Sequence, residues 1–187
     1  MNNAVANTLR NASVLILGGG GLVGTAIAKH LGRLPKSMRP SRVVVAALTK
    51  DNATEAVRAL EKASSRQSGH VDNNKSINGV DKNCITHYVP AWGDIFVNAS
   101  LANVPANVRK EDPSMRATMM KDTLGDFGSA YDENQLVKLV REHKPNVIVD
   151  CINAATGKCL PASFCSALCM TFALSTSILR STIVADQ

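Results

Sequence analysis

Val14-Leu15-Ile16-Leu17-Gly18-Gly19-Gly20-Gly21-Leu22-Val23-Gly24 is the stretch that decides how this 187-residue chain is read. Four consecutive apolar residues predict a strand buried on both faces, as in the middle of a parallel sheet. Glycines follow at once. Leu22, Val23, Ala26, Ile27, Leu31 and Leu34 then recur at helical spacing. Strand, glycine turn and helix in that order predict a site for nucleotide phosphates. Gly19-x-Gly21-x-x-Gly24 fits the dinucleotide fingerprint, and Gly18-x-x-Gly21-x-x-Gly24 fits a variant of it. Both make the same physical demands. One glycine carries the backbone through a tight turn, another lets a pyrophosphate approach, and the last lets helix and strand pack closely. The N–H groups and positive dipole end of the helix then face the phosphates. Gly19-x-x-x-x-Gly24 also has the spacing of an ATPase phosphate loop, but Thr25 and Ala26 stand where that loop needs Lys and Ser/Thr.

The length suits one well-buried domain and is short for two. A net charge of +6 at pH 7 would admit an anionic partner. The basic residues are spread along the chain, however, and only 4% of residues are aromatic, so there is no interleaved stripe on which bases could stack. Nucleic acid is therefore not expected as a partner. Cys84, Cys151, Cys159, Cys165 and Cys169 are an odd set without paired metal spacing, which predicts no metal centre and no disulfide framework. A reducing compartment, the cytoplasm, is the expected location. The first thirteen residues contain Arg10 and no acid, a faint transit-peptide colouring, and lack the apolar core of a secretory signal.

Arg42-Val43-Val44-Val45-Ala46-Ala47-Leu48 predicts a second buried strand after a loop between Pro35 and Pro40. Asn52-x-x-Glu55 predicts a cap for the next helix, with Ala56, Val57 and Leu60 toward the sheet. Residues 64–83 are polar and predict a flexible loop. Cys84-Ile85-Thr86-His87-Tyr88-Val89 predicts a third strand. Between Asn98 and Leu124 the pattern predicts one or two short helices punctuated by Pro105 and Pro113. Asp132 or Asn134 opens a helix whose buried stripe is Leu136, Val137, Leu139 and Val140, and Val147-Ile148-Val149-Asp150-Cys151-Ile152 predicts a fourth strand. Alternating strands and helices give an α/β, Rossmann-type doubly wound parallel sheet with strand order 3-2-1-4, truncated and without a complete substrate domain. The expected organisation is an N-terminal extension over residues 1–12, an NAD(P)-binding domain over 13–157 and an atypical tail over 158–187.

Together these residues resemble the extended short-chain dehydrogenase/reductase family, in particular its NAD-dependent epimerase/dehydratase-like members. The resemblance runs from about residue 13 to 157 and is most specific at the glycine loop and the end of strand three. It implies NADP or NAD as cofactor, with Gly18, Gly19, Gly21, Leu22, Val23 and Gly24 around the pyrophosphate. Gly93-Asp94-Ile95-Phe96 is similar to the family's third-strand end, which implies Asp94 at the adenine edge and Ile95 against its face. Ile152-Asn153-Ala154-Ala155-Thr156-Gly157 resembles its fourth-strand loop, which places Asn153, Ala154 and Ala155 toward the ribose and nicotinamide. An N-capping aspartate and a loop of small packing residues are the alternative readings of these two segments.

At the end of strand two, NAD enzymes place an acid for the ribose hydroxyls and NADP enzymes offer a cation to the 2′-phosphate. Thr49 and Lys50, with Arg33 or Arg42 in support, point to NADP. Asp51 could instead hold the ribose or simply begin the next helix. The balance tips slightly toward NADP. The family's catalytic Tyr-x-x-x-Lys pair is not found, since Tyr88 is followed four residues on by Trp92 and Tyr131 by Gln135. His30, His70, His87 and His143 read as structural or solvated, so no catalytic residue is assigned. From residue 159 to 179 no residue is charged. A helix packed on the sheet is expected there, in preference to a membrane anchor, and a truncated or alternatively read gene would also account for it. The reading is an NAD(P)-binding protein of the oxidoreductase/epimerase class lacking its catalytic pair. The alternatives are an active enzyme completed by another chain, for which a homo-oligomer would serve, and a membrane-tethered or scaffolding module.

Overall fold

Residues 9–68 and 86–152 are those described by the computed structural model. They form four strands, β1 (Ser13–Leu17), β2 (Arg42–Ala47), β3 (His87–Trp92) and β4 (Val147–Asp150). Six helices accompany them: α1 (Leu22–Arg33), α2 (Lys50–Ser68), α3 (Ala106–Glu111), α4 (Pro113–Leu124), α5 (Phe127–Glu133) and α6 (Gln135–His143). All strands are parallel and stand in the order β3-β2-β1-β4, as the sequence predicts. Ser13 lies opposite Arg42 and Leu17 opposite Ala46, while Leu17 also faces Asp150 of β4.

The period of two along each strand divides the core into two halves. Val14, Ile16, Val43 and Val45 pack with Ala28 of α1, Ala56, Val57 and Leu60 of α2, and Tyr88. Leu15, Leu17, Val44 and Ala46 pack on the other face with Leu136 and Leu139 of α6. The sheet is thus wound on both sides, and each fully buried Leu, Ile or Val contributes about 1.5–3 kcal/mol of transfer free energy.

Several boundaries depart from expectation. In α1 the inward face carries Gly24 and Ala28, flanked by Ile27 and Leu31, whereas Leu22, Val23 and Ala26 point to solvent. The helix rests on the sheet through its small residues, and that rotation turns Leu22 and Val23 outward. Helix α2 begins at Lys50 rather than at Asn52, because the Asn52 N–H donates to the Thr49 hydroxyl at 3.3 Å. It also continues through residues 64–68, where Ser65 donates back to the Glu61 carbonyl, so these five residues are helical where a loop is expected. Strand β3 runs on to Trp92 through Pro90, which an edge strand tolerates. Helix α5 fills a stretch to which the sequence pattern assigns no element, capped by Asp126 accepting from the Ser129 N–H, and it contains Asp132, so the next helix opens at Asn134. Residues 69–83 of the predicted loop, Cys84 and Ile85 of the predicted third strand, the segment 153–157 and the tail 158–187 lie outside the described residues. No helix among the described residues is long and apolar enough to cross a membrane.

At the amino ends of the strands, Arg42 donates to Nδ1 of His143 at 2.6 Å, and His143 is buried. Burial, and more weakly the Arg42 charge, holds this imidazole below its ordinary value against the pull of Glu142. The unfolded chain therefore takes up a proton near pH 6.5 that the folded chain refuses. This contribution to stability is complete above that pH and is lost as the pH falls toward the folded value. The urea midpoint is expected to drop between about pH 7.5 and about pH 5.5, and the drop to shrink in His143→Gln, which keeps a neutral polar group. Equal drops in both proteins would contradict the assignment.

Candidate functional site at the carboxyl ends of the strands

The chain leaves β1 toward β2 on one side and returns as β4 on the other, so the sheet's order reverses between β1 and β4. In open α/β sheets such a point creates a crevice beyond the carboxyl ends of the strands. The glycine loop occupies it. Gly18 has φ +73°, a left-handed conformation that favours glycine, and a Cβ there would meet the Cys151 carbonyl oxygen at 3.1 Å. Gly19 donates its N–H to the Ala46 carbonyl and presses on β2, where a Cβ would come within 2.8 Å of Val45. At Gly24 a Cβ would fall 2.5 Å from the Gly18 carbonyl oxygen and 2.6 Å from the Gly19 Cα. The Thr25 hydroxyl donates to the Gly19 carbonyl at 3.0 Å and ties the helix to the loop.

Gly21 is different. Its φ of −82° suits any residue, it is exposed, and a Cβ would meet only the Gly18 carbonyl oxygen, at 3.2 Å, with open space otherwise. It is also the N-cap of α1, where no side chain caps the helix and no acid stands in the first turn. The first N–H groups of a twelve-residue helix thus have no side chain at the N-cap in front of them. This geometry fits a phosphate group, which would accept from those N–H groups and complement the dipole. Leu22 and Val23 beside it are 90% and 59% exposed, and Leu48 at the end of β2 is 63% exposed, so the loop has an apolar rim. Such a combination of apolar walls and a few directed polar groups is typical of small-molecule sites.

At the end of β2, Thr49 caps α2 and Lys50 begins it, with Nζ 5.3 Å from the centre of the Trp92 ring. Asp51 lies in the first turn of α2, where its charge complements the dipole. Arg42 and Arg33 do not support Lys50. Arg42 starts β2 and is bound to His143, and Arg33 ends α1, so both lie at the opposite end of the sheet.

Beyond β3, Gly93 turns with φ +119° and donates to the Ala47 carbonyl. Asp94 follows with both oxygens engaged. Oδ1 accepts from the Phe96 N–H at 3.1 Å, and Oδ2 accepts from Arg109 Nη2 at 2.6 Å. The Ile95 side chain packs into the core half that contains Leu15 and Leu17. Arg109 and Trp92 are thus site residues that the sequence reading missed. A lone arginine on a six-residue helix and a tryptophan next to a glycine carry no motif that could have singled them out. Asn153, Ala154 and Ala155 lie outside the described residues.

Among the described residues no replacement for a catalytic pair emerges. The Tyr88 hydroxyl is buried and donates to the Ala28 carbonyl. Tyr131 carries the Arg141 guanidinium over its ring at 5.5 Å. Burial, with the Asp150 charge, pushes the Cys151 thiol up, so it is not an activated nucleophile. Among the described residues no group of three or more His, Cys, Asp or Glu is placed to hold a metal ion. Comparison of the chain with known protein families, with curated proteins and with solved structures finds no match.

Proposed function

We propose that this protein binds a dinucleotide, NADP(H) or NAD(H), with its pyrophosphate on the loop at 18–24 and the amino end of α1. The observation that carries the reading is Gly21. The fold explains Gly18 by its φ and Gly19 and Gly24 by their contacts, whereas at Gly21 the missing side chain leaves helix N–H groups open to an anion. Lys50, poised over Trp92 at the end of β2, is the residue we assign toward a ribose 2′-phosphate, which keeps the slight preference for NADP. Of the residues expected at the adenine, Ile95 is buried in the core and Asp94 would have to accept a further hydrogen bond beside those from Phe96 and Arg109, so the proposed contacts beyond the loop fall to Asp94 and, outside the described residues, to Asn153, Ala154 and Ala155.

The reaction class is the oxidoreductase/epimerase class that the sequence resembles, without turnover by this chain alone, because neither tyrosine is followed four residues on by a lysine. We place it in the cytoplasm on its cysteine usage, and Cys151 is a free thiol.

Gly21→Asp separates this reading from a structural one. An aspartate at the N-cap accepts from the first turn's N–H groups and complements the dipole, so the unfolding free energy is expected to stay within about 1 kcal/mol of the parent or to rise. The same carboxylate occupies and repels the phosphate position, so affinity for NADPH and NADH by calorimetry is expected to fall by at least about tenfold. Unchanged affinity in Gly21→Asp, or no binding of either nucleotide by the parent at millimolar concentration, would overturn the proposal.

A further inference from the structure

A second concavity lies away from the glycine loop, between the segment that follows β3 and helices α4 and α5. Its volume is about 100 Å³, and its walls include Phe96, Asn98, Met119, Asp122, Phe127 and Tyr131. The Phe127 and Tyr131 rings stand 6.2 Å apart, tilted by 33°. An apolar cavity of about 150 Å³ takes a benzene molecule, so this space suits a somewhat smaller group.

Asp122 is the one carboxylate among the lining residues, and the half-buried side chain is served by a hydrogen bond from Asn98. Two cations of the α5–α6 region are committed elsewhere. Lys138 pairs with Glu133, and Arg141 pairs with Asp132 and lies 5.5 Å from the centre of the Tyr131 ring. Asp122 is in none of the ion pairs among the described residues. Lys121, next to it on α4, eases the charge, and Glu133 opposes it. Burial raises the Asp122 carboxyl above its ordinary value, the mark of a carboxylate short of counter-charge.

Two of the other polar walls are already engaged. The Thr123 hydroxyl donates to the Met119 carbonyl, and the Asn134 side-chain oxygen accepts from the Leu136 and Val137 N–H groups. An anion would meet Asp122 in repulsion. A neutral apolar molecule would strip water from the carboxylate without pairing it. A metal ion would find a single carboxylate ligand. What complements three aromatic rings and one carboxylate is a cation with an apolar body.

We propose that this cleft binds a small organic ammonium ion, its N–H groups donating to the Asp122 carboxylate and its alkyl body lying against Phe96, Phe127 and Tyr131. The site shares no residue with the glycine loop and does not depend on the dinucleotide reading.

The test is an NMR titration of the full ¹⁵N-labelled chain with isobutylammonium, isobutanol and isobutyrate, three probes of one shape and different charge. Isobutylammonium is expected to bind in the millimolar range, at least about tenfold more tightly than the other two, and to move the amide signals of Asn98, Asp122 and Tyr131. Asp122→Asn removes the charge, and Ala130→Leu fills the cleft while leaving the carboxylate. Each is expected to weaken isobutylammonium binding by at least about tenfold. Isobutanol binding as well as the ammonium ion, unchanged affinity in Asp122→Asn, or signal changes elsewhere only would each overturn the proposal. If a variant does not fold, the three-probe comparison on the parent chain still decides.

Discussion

Asp94→Ala is expected to lower the unfolding free energy by about 3–5 kcal/mol, measured by urea or guanidinium denaturation. The reason lies with the partner it abandons. The Asp94 side chain is 18% exposed and that of Arg109 is 7% exposed, and they meet at 2.6 Å. Nε and Nη1 of Arg109 are buried without a hydrogen-bond partner among the described residues, so the Asp94 carboxylate at Nη2 carries the compensation for that guanidinium. Removing the carboxylate leaves a desolvated charge with nothing to offset it. Arg109→Met removes the costly cation instead and leaves Asp94 with the Phe96 N–H, so its penalty is expected to be smaller. The double variant Asp94→Leu/Arg109→Met is expected to cost less than the sum of the two singles, since a buried ion pair, here with two guanidinium nitrogens unpaired, gains little over apolar packing. Additive single effects would show that the pair does not act as a unit. The prediction also bears on the proposed ligand site. If Asp94 serves only a nucleotide base, its loss changes affinity and leaves the denaturation midpoint in place.

How much of this could be read from the chain depends on whether a feature is local. The sheet was legible because residues 14–17 and 43–46 are uninterrupted apolar runs, and only a strand buried on both faces uses such a run. The start of α6 was legible to within two residues, at Asp132 or Asn134, since an N-cap followed by a stripe at helical spacing is a local signal, and the structure selects Asn134. Pro90 hid the second half of β3, because its effect depends on whether the strand is an edge, and that is decided by topology. The face of α1 was misjudged for a related reason. Periodicity ranks Leu22 and Val23 above Gly24, but contact with the loop selects the residue that has no side chain. Within the site, the glycine loop is contiguous and could be read. The Asp94–Arg109 pair joins residues fifteen apart across a turn, and the position of Arg42 at the far end of the sheet follows from strand direction. Neither leaves a trace in spacing.

Gly24→Ala is expected to destabilise the protein by about 2–4 kcal/mol and to abolish detectable dinucleotide binding, and the size of the effect comes from what the new methyl would meet. In an exposed helix the exchange would stabilise by about 1 kcal/mol through backbone entropy. Here the added Cβ lies 2.5 Å from the Gly18 carbonyl oxygen and 2.6 Å from the Gly19 Cα, both backbone atoms. Neither can swing aside. The Gly19 N–H is held by Ala46 of β2, the Gly21 N–H by Gly18, and the Gly19 carbonyl by Thr25, so the helix must lift from the sheet and carry its first N–H groups away from the crevice. Gly32→Ala provides the contrast on the same helix. Its Cβ would fall on the Tyr88 hydroxyl, the far end of a side chain, and the Ala28 hydrogen bond is what would be lost. That cost is expected to be recovered in good part by adding Tyr88→Phe, which removes the obstructing oxygen. No side-chain deletion relieves Gly24→Ala, because only backbone stands in its way. A Gly24→Ala protein as stable as the parent would mean that helix and loop do not approach as closely as the site requires, and the phosphate position would then have no fixed donors.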